Sequence, residues 1–266
     1  MLSAAIAEMD AERRFGGVVR LYGGDALERL SAARVCVVGI GGVGSWAAEA
    51  LARSAVGRIT LIDLDHVAES NTNRQIHALE GEYGRAKVSA MAARILAINP
   101  RCRVSEIEDF VSAENVAELL PACDAVLDAI DSVRAKAALI AHCRDVGVPV
   151  VTTGGAGGRR DPTRIRVADL ALTEQDPLAA KLRASLRREY DFPRGAKQKF
   201  GVDCVFSTEP IVRPPNDGPA CELDERGLQG LNCAGYGSAV TVTACFGLTA
   251  AARVLEHLLE TRQAIY

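Results

Sequence analysis

Residues 34–45 read RVCVVGIGGVGS and predict a strand that runs into a turn rich in glycine. An apolar, β-branched run such as residues 34–38 is typical of a fully buried strand. The stretch 46–53 then resumes with helical character. Strand, glycine turn and helix in this order can hold a nucleotide phosphate on backbone N–H groups at the helix N-terminus. We therefore expect a nucleotide-binding α/β fold.

The glycines of this turn have separate expected roles. Gly39 allows the tight turn, and Gly41 and Gly42 let a ligand approach the backbone closely. Gly44 lets the helix pack against its strand. The spacing also fits a dinucleotide-binding dehydrogenase, in which Asp63, at the end of the next strand, would hold a ribose hydroxyl. A tight turn that binds nothing is the alternative, but the correctly placed acid favours a nucleotide.

Composition limits the class of protein. The chain has 266 residues and a net charge of −3, which is no global signature of nucleic-acid binding, so any RNA contact must be local. It has 8 cysteines, none of them in a C-x-x-C pair, and its N-terminus carries acids and arginines in place of a secretory signal. These features predict a reduced, cytoplasmic compartment in which most cysteines are small core residues.

Alternating patterns predict the rest of the fold. Strands are expected at 59–63, 103–107, 125–130 and 148–152, and helices at 84–98, from Ser112 to 120, and from Asp131 or Ser132 to Gly147. Such alternation predicts an α/β, Rossmann-like, mostly parallel sheet with helices on both faces. We expect an antiparallel C-terminal extension to continue it.

The chain divides into three expected parts. Residues 1–33 form an N-terminal arm and helix, residues 34–155 an ATP-binding core, and residues 156–266 a C-terminal extension. The extension is expected to hold an antiparallel strand at 165–169, a basic helix at 178–190, a mobile loop at 207–232 and a closing helix within 234–260. The run 234–252 carries no charge and approaches transmembrane length, but its small and hydroxyl residues favour a buried helix over a membrane span.

Residues 63–75, DLDHVAESNTNRQ, are the most specific stretch. A dehydrogenase has no need of Asn-x-Asn-Arg-Gln after its ribose acid, whereas an enzyme that acts on the phosphates of ATP does. Asn71 and Arg74 are expected to reach the triphosphate, and Lys87 adds a second cation. Asp131 is a candidate for holding Mg²⁺ at the carboxyl edge of the sheet. Taken alone, each of these residues is more often a surface charge or a helix cap. Because they occur together at the ends of strands, they favour a binding site for the phosphates of ATP.

These motifs, with Gly84-x-x-Lys87 and Asp128-x-x-Asp131, resemble the ubiquitin-activating, ThiF/MoeB-type adenylating superfamily over residues 14–155. The resemblance implies a homodimer with Mg²⁺ and catalytic roles for Arg74, Lys87, Asp131 and Cys204. It implies an ATP site formed by Gly39, Gly41, Gly42, Gly44, Asp63, Asp65, Asn71, Asn73, Arg74, Gln75, Lys87, Asp131 and Ser132, and by Arg14 across the dimer. The family's arm has a second arginine where this chain has Gly17, and Arg20 is the candidate substitute.

Residues 14–23 and 201–209 look like the branch of this superfamily that acts on threonylcarbamoyladenosine in tRNA. That resemblance implies ATP-dependent closure of the threonyl carboxylate into a ring through an acyl adenylate. It also implies tRNA as partner, and a cysteine desulfurase with its sulfur-acceptor protein as further expected partners. The alternatives are an enzyme that adenylates the C-terminus of a ubiquitin-like sulfur carrier, and a non-catalytic nucleotide-binding scaffold in a desulfurase relay.

Two features of the extension have open interpretations. Cys204 is either a thiolate that takes the acyl group or a buried thiol that shares a strand face with Val202 and Phe206. In residues 181–199, seven basic and two acidic residues give a local charge of +5. This stretch is either a solvated helix face or, with Tyr190, Phe192 and Phe200 interleaved, an RNA surface. The expected RNA-binding residues are Arg187, Arg188, Lys197 and Lys199.

Overall fold

The computed structural model describes residues 10–195, 198–212 and 236–260. Its centre is a seven-stranded sheet in the order β3-β2-β1-β4-β5-β7-β6. The strands are β1 Arg34–Val38, β2 Arg58–Ile62, β3 Arg103–Ile107, β4 Ala125–Asp128, β5 Val150–Thr153, β6 Ile165–Asp169 and β7 Asp203–Ser207. All neighbours pair in parallel except β6, which is antiparallel to β7. The mostly parallel sheet with an antiparallel end, expected from the sequence, is confirmed.

Helices cover both faces of this sheet, as expected. They are α1 Ala11–Tyr22, α2 Ala26–Ala32, α3 Gly44–Arg53, α4 Lys87–Ile98, α5 Val116–Leu119, α6 Val133–Val146, α7 Pro177–Glu189 and α8 Val240–Glu260. One hydrophobic cluster joins α3, α4 and α8 to the sheet, and the other joins α6 and α7 to it. Both clusters draw residues from the expected core and from the expected extension, so residues beyond 155 enlarge the same two cores.

The strand order places a crevice at one end of the sheet. From β1 the chain moves outward to β2 and β3, and it then returns to the other side of β1 to form β4. Val37 thus has Leu61 as its partner on one side and Leu127 on the other. Ligands of open α/β sheets bind at the carboxyl ends of the strands where the order switches. The ends of β1 and β4 are therefore where the fold places a ligand.

Two helices begin later than the sequence pattern predicts. The helix expected from residue 84 starts at Lys87, because Gly84 has a positive φ of +84° that a helix cannot include. The helix expected from Ser112 starts at Val116 with Asn115 as its N-cap. Ser112 instead lies in a tight turn, where its backbone N–H donates to Asn115 Oδ1 over 2.7 Å.

A buried ion pair joins β4, β5 and α6. Lys136 Nζ donates to Asp128 Oδ2 over 2.9 Å, and the Thr152 hydroxyl donates to the same oxygen over 2.6 Å. Both charged side chains are fully buried. Asp128 Oδ1 also accepts the N–H of Ile130 over 3.1 Å. The pair therefore fixes the backbone just after β4, from which Asp131 projects.

The closing helix α8 lies against α3 and the middle of the sheet. Gly247 makes this approach possible, because a Cβ there would lie 2.3 Å from the Val43 carbonyl oxygen and 3.0 Å from the Ala47 nitrogen. By length and composition α8 could cross a membrane, but half of its most apolar window is buried within the protein. This packing agrees with the buried helix expected for the run 234–252.

Gly158 joins two distant parts of the chain. Its carbonyl oxygen accepts the Val212 N–H over 2.8 Å, and its own N–H donates to the Gly237 oxygen over 2.7 Å. A side chain at this position would clash with Ile211, since a Cβ would lie 2.7 Å from Ile211 Cγ2. Most of the loop expected at 207–232 lies outside the described residues. Gly158 therefore links the described chain before residue 213 to the described chain after residue 235.

Candidate active site

A cavity of about 630 Å³ opens at the carboxyl ends of the central strands. Its walls come from the glycine turn, the ends of β2 and β4, the bend after β5, and the chain leading into α8. Expected site residues among its lining are Gly39, Gly41, Gly42, Asp63, Asp65, Arg74, Gln75, Lys87, Asp131 and Ser132. The fold thus brings together residues that lie as much as 93 positions apart in the sequence.

The glycine turn forms the floor of this cavity. Gly39 has a φ of +87°, and a Cβ there would lie 2.9 Å from the backbone of Ala129, so only glycine fits. Gly44 does not line the cavity. A Cβ on Gly44 would lie 1.8 Å from the Gly39 oxygen, which agrees with the expected close packing of helix against strand.

Asp63 is held firmly at the end of β2. Its Oδ2 accepts the Ile40 N–H over 2.6 Å, and its Oδ1 accepts the Asp65 N–H over 2.8 Å. Burial raises the pKa of the Asp63 carboxyl, and the positive charge of Lys87 partly offsets that rise. The carboxylate is thus fixed in orientation where a ribose hydroxyl could bind it.

Lys87 is less exposed than a surface cation. It is only 6 % exposed, and its Nζ donates to Asp65 Oδ2 over 2.6 Å and lies 4.0 Å from Asp63 Oδ1. Two carboxylates therefore hold the ammonium group at the edge of the cavity. A charged lysine this deeply buried is stable because it is paired.

Arg74 is the second cation of the cavity, and its position is fixed from two sides. Its Nη1 donates to the Ser70 oxygen over 2.7 Å and to Asn73 Oδ1 over 2.9 Å. The indole N–H of Trp46 donates to its backbone oxygen over 2.9 Å. The arginine stem lies against Gly42, where a Cβ would be 3.2 Å from Arg74 Cγ. The stem of Arg74 thus packs on the glycine turn, while its guanidinium is held by residues 70 and 73.

The two asparagines of this stretch do not line the cavity. Asn71 was expected to reach the triphosphate, but it is 8 % exposed, and its Oδ1 accepts the Ala68 N–H over 3.0 Å, so it caps the 3-10 turn Glu69–Asn71. Asn73 bridges two segments: its Oδ1 accepts from Arg74, and its Nδ2 donates to the Ser238 oxygen over 2.9 Å. Both asparagines position the chain around the cavity.

Asp131 and Ser132 lie after β4, on the opposite wall from Asp63. The strand ends at Asp128, two residues earlier than the pattern predicts. Ser132 is the N-cap residue of α6 by position, although its side chain makes no capping hydrogen bond. No cluster of three or more metal-ligating side chains occurs in the described ranges. One carboxylate beside bound phosphates is nevertheless a common way for proteins to hold Mg²⁺.

Arg14, the arginine expected to reach across a dimer, contacts its own chain at a distance from the cavity. Arg14 Nη1 donates to the carbonyl oxygen of Ile98, at the end of α4, over 2.7 Å. Arg14 therefore does not line the cavity of its own chain. Its reach into the cavity of a second copy stays a prediction. Arg20 lies on the exposed side of α1, with its Nη1 near Gly16, and also lies outside the cavity.

Cys204 lies in the hydrophobic core beneath α6 and α7. It is 1 % exposed and shares a cluster with Val202 and Phe206, as the strand pattern predicts. Burial raises the pKa of the Cys204 thiol far above its ordinary value. A thiolate nucleophile needs the opposite shift. This placement favours the buried thiol over the covalent role.

The basic stretch is only partly a free surface. Phe192 and Phe200 are buried and meet edge to face at 5.1 Å between ring centroids. In this arrangement their rings pack on each other and are not available to stack on RNA bases, which the RNA-surface interpretation would require. The Arg187 guanidinium lies over the Phe200 ring at 5.1 Å and donates to the Pro193 oxygen. Arg188 and Lys199 are exposed, and Lys197 lies outside the described residues.

Sequence reasoning missed the contribution of the C-terminal segment to the cavity. Tyr236, Ser238 and Thr243 line it, together with Phe110 from the loop after β3. The only sequence signal was the hydroxyl groups in an otherwise apolar helix.

Known proteins resemble this chain over nearly its whole length. A sequence profile of the ThiF family matches residues 16–265. The tRNA threonylcarbamoyladenosine dehydratase of Escherichia coli is 55% identical over 251 residues, which cover 93% of this chain and 94% of the relative. A crystal structure of an E. coli tRNA N6-threonylcarbamoyladenosine dehydratase in complex with ATP superimposes with a TM-score of 0.87 at 52% identity, covering 97% of this chain and 99% of that one. A crystal structure of the E. coli enzyme in complex with AMP superimposes with a TM-score of 0.85 at 52% identity, covering 96% of this chain and 98% of that one.

Proposed function

The chain belongs to the ThiF family, and from this premise we propose that it catalyses the ATP-dependent dehydration of threonylcarbamoyladenosine in tRNA. The observation that carries the proposal is the cavity itself. Arg74 and Lys87 lie beside a glycine turn, and Asp63 and Asp131 lie on its two walls. Relatives that match this chain over more than nine-tenths of their length are named tRNA threonylcarbamoyladenosine dehydratase, and structures of one such enzyme have been solved with ATP and with AMP.

The residues suit adenylation of a carboxylate. A carboxylate is a poor electrophile, and its attack on the α-phosphorus of ATP gives an acyl adenylate with pyrophosphate as leaving group. A nucleophile in the same side chain then displaces AMP and closes a five-membered ring, helped by proximity. Charge builds on the pyrophosphate as it leaves. Arg74 and Lys87 are preorganised to stabilise that charge without further reorganisation.

Magnesium fits the donor set of the cavity. Asp131 supplies an oxygen ligand on the wall opposite Asp63, and bound phosphates would supply others. When bound, the ion would neutralise charge on the departing pyrophosphate. Asp63 and the buried pair of Asp128 and Lys136 act independently of the metal, since they fix the ends of β2 and β4.

The proposed partner is tRNA, and the proposed assembly is a cytoplasmic homodimer in which Arg14 reaches the cavity of the second copy. Lys181, Arg188 and Lys199 supply exposed positive charge for an RNA backbone. An enzyme that adenylates a sulfur-carrier protein would share the ATP site but would not need this basic surface. A cysteine desulfurase with its sulfur acceptor stays an expected further partner.

Nucleoside mass spectrometry tests the proposal. The protein is incubated with ATP and with tRNA that carries threonylcarbamoyladenosine, and the digested nucleosides are weighed. We expect the modified nucleoside to lose one water, with AMP formed in equal amount. Omitting ATP is the matched control and should leave the nucleoside unchanged. ATP turnover that required a small carrier protein and left the tRNA untouched would contradict the proposal, and absence of any ATP turnover would favour the scaffold.

A further inference from the structure

The bend that follows β5 forms one wall of the cavity, beside the start of α7. We call residues 154–157 the β5 bend. Gly154, Ala156 and Gly157 line the cavity, and so does Leu178 in the first turn of α7. None of these residues is among the expected contacts of ATP. This part of the wall is therefore available to a second substrate.

Asp176 connects the β5 bend to α7 through both of its carboxylate oxygens. Its Oδ2 accepts the Gly155 N–H over 2.9 Å, and its Oδ1 accepts the Ala179 N–H over 2.9 Å as the N-cap of α7. Asp176 is only 4 % exposed. It lies so close to Gly154 that a Cβ there would be 2.1 Å from Asp176 Oδ2. The carboxylate thus fixes the bend and the first turn of α7 with respect to each other.

A second hydrogen bond ties the chain just after the β5 bend to the same place. Arg159, which is 2 % exposed, donates from Nη2 to the Gln175 oxygen over 2.6 Å. Gln175 has a φ of +53°, in the left-handed region that residues with a side chain rarely adopt. Such a conformation persists where surrounding contacts impose it, and it is frequent at functional sites. Ala156 and Gly157 lie between the two tethers, so the cavity-lining part of the bend is fixed at both ends.

The strand order indicates which substrate meets this wall. The glycine turn follows β1 and Asp63 follows β2, whereas β5 lies on the other side of β1, beyond β4. Neighbouring strands are about 4.8 Å apart, so the β5 bend lies roughly 10 Å across the sheet from the glycine turn. A nucleotide with its phosphates on the glycine turn and its ribose at Asp63 extends away from β5. The β5 bend is then left for the group that attacks the α-phosphorus, which is the carboxylate of the modified adenosine.

We propose that Asp176 is a positioning residue of the reaction: by holding the β5 bend, it sets the wall against which the threonyl carboxylate is placed for its attack on ATP. Asp176 acts through the bend, since it does not itself line the cavity. This inference rests on the proposed function and adds to it a residue of the C-terminal extension. The alignment of two reacting groups is sensitive to small displacements, and a shift of about 1 Å can cost about 10²-fold in rate. Loosening the β5 bend should therefore slow the reaction without weakening ATP binding.

The test replaces Asp176 by asparagine, which has the same shape. In Asp176→Asn the amide oxygen still caps α7, because asparagine is as good an N-cap as aspartate, but an NH₂ group faces the Gly155 N–H. The rate of cyclic nucleoside formation at saturating tRNA and ATP should fall by about 10- to 100-fold. The Kd of a non-hydrolysable ATP analogue should be unchanged, and its binding stoichiometry counts the folded protein. Arg159→Met, which removes the second tether, should lower the rate in the same direction and tests the inference independently if Asp176→Asn does not fold.

Asp169→Asn is the matched control, because Asp169 has a similar arrangement of contacts at the opposite end of the sheet. Its Oδ1 accepts the Ala171 N–H as an N-cap, and its Oδ2 accepts the Gly201 N–H over 2.8 Å. Asp169 pairs with Asp203 at the first residue of β7, away from the carboxyl ends of the parallel strands. This variant should keep the wild-type rate.

The possible outcomes separate the inference from the proposed function. An equal loss of rate in Asp169→Asn would indicate a general loss of stability and overturn the positioning role. A higher Kd of the ATP analogue in Asp176→Asn would show that the bend serves the nucleotide, and would overturn it as well. An active wild type whose Asp176→Asn and Arg159→Met variants keep the full rate would refute the inference alone. A wild type that forms no cyclic nucleoside would refute the proposed function, and the inference would fail with it.

Discussion

His77 shows what burial does to a single titratable residue. It lies two positions after Gln75, is 2 % exposed, and neither ring nitrogen has a hydrogen-bond partner within the described ranges. Burial, followed by the charges of Lys87 and Arg94, lowers the pKa of His77 to about 4. The folded protein therefore keeps this imidazole neutral, whereas the unfolded chain binds a proton near pH 6.5.

This shift predicts acid sensitivity in a defined range. The unfolded state binds more protons between pH 6.5 and pH 4, so stability falls as the pH is lowered through that range. The loss has a ceiling of about 3.5 kcal/mol, since the pKa falls from 6.5 to about 4 and each pKa unit corresponds to about 1.4 kcal/mol. Urea denaturation at pH 7 and pH 4.5 should show it, and His77→Leu should abolish most of the difference. The exposed His66 is the control, and an equal effect of His66→Leu would contradict this assignment.

Arg74 is the residue proposed to stabilise the negative charge that builds up as pyrophosphate leaves. Arg74→Ala should lower AMP formation by about 10²–10³, the usual loss when one preorganised donor is removed. The melting temperature should change little, because Trp46 donates to the backbone oxygen of Arg74, which alanine retains. Arg85→Ala, which removes an exposed arginine paired with Glu82, is the control for turnover. Near-normal turnover in Arg74→Ala would mean that the phosphates bind elsewhere.

At the scale of the element, the contact between α3 and α8 depends on one glycine. Gly247→Ala introduces a Cβ 2.3 Å from a backbone oxygen, so the helices must separate. Overpacking of this kind costs about 1–3 kcal/mol. The cost should appear as a lower free energy of unfolding in urea than that of the wild type.

Gly17 provides the matched control in another helix. It lies inside α1, and a Cβ there would meet nothing within 4 Å. Gly17→Ala should therefore stabilise the protein by about 0.5–1 kcal/mol, since alanine favours a helix over glycine. Both substitutions replace a helical glycine by alanine. Opposite signs of their changes in the free energy of unfolding therefore separate the effect of packing from that of helix propensity. Destabilisation of equal size at both positions would refute the packing argument.

The strands and the cavity could be predicted from local patterns, whereas the connections between distant segments could not. Residues 34–45 fixed β1, the glycine turn and α3, because strand burial and glycine geometry are local properties. The fully buried Lys136 resembled an ordinary helix-surface lysine, since its partners Asp128 and Thr152 come from other elements. The local role of Asn71 could not be predicted either, because its Oδ1 accepts from the backbone of its own turn, and its contact with the triphosphate stays a prediction.

At the scale of the whole molecule, positive charge is unevenly distributed. The chain carries a net charge of −3, yet exposed cations lie along and after α7, which packs with α6 against one face of the sheet. Arg187 is less suitable for RNA than the sequence suggested, because it stacks on Phe200. Exposed cations of this stretch include Lys181, Arg188 and Lys199, and the contact of Lys197 with RNA stays a prediction because that residue lies outside the described ranges.

Reversing these three charges to glutamate should weaken tRNA binding and flatten its salt dependence. Each lost phosphate contact lowers the slope of log affinity against log salt by up to about one unit. The control reverses Arg58, Arg101 and Arg103, exposed residues toward the β3 edge of the sheet, which changes the net charge equally. Filter binding across a salt series measures the tRNA affinity and its salt slope for each of the two triple variants. Identical slopes for the two triple variants would show that only net charge matters.

Gly158 has a consequence for how this chain can vary in length. Because it bonds to both Val212 and Gly237, the described chain before residue 213 and the described chain after residue 235 are anchored at one point. Loop-closure entropy then depends only weakly on the number of residues inserted, at roughly 0.6 kcal/mol for each doubling. A change in the number of residues between the two anchors should therefore cost little free energy of loop closure, provided that both hydrogen bonds to Gly158 are kept. The same position would accept a grafted domain or a reporter peptide, and evolution could lengthen or shorten the stretch at little thermodynamic cost.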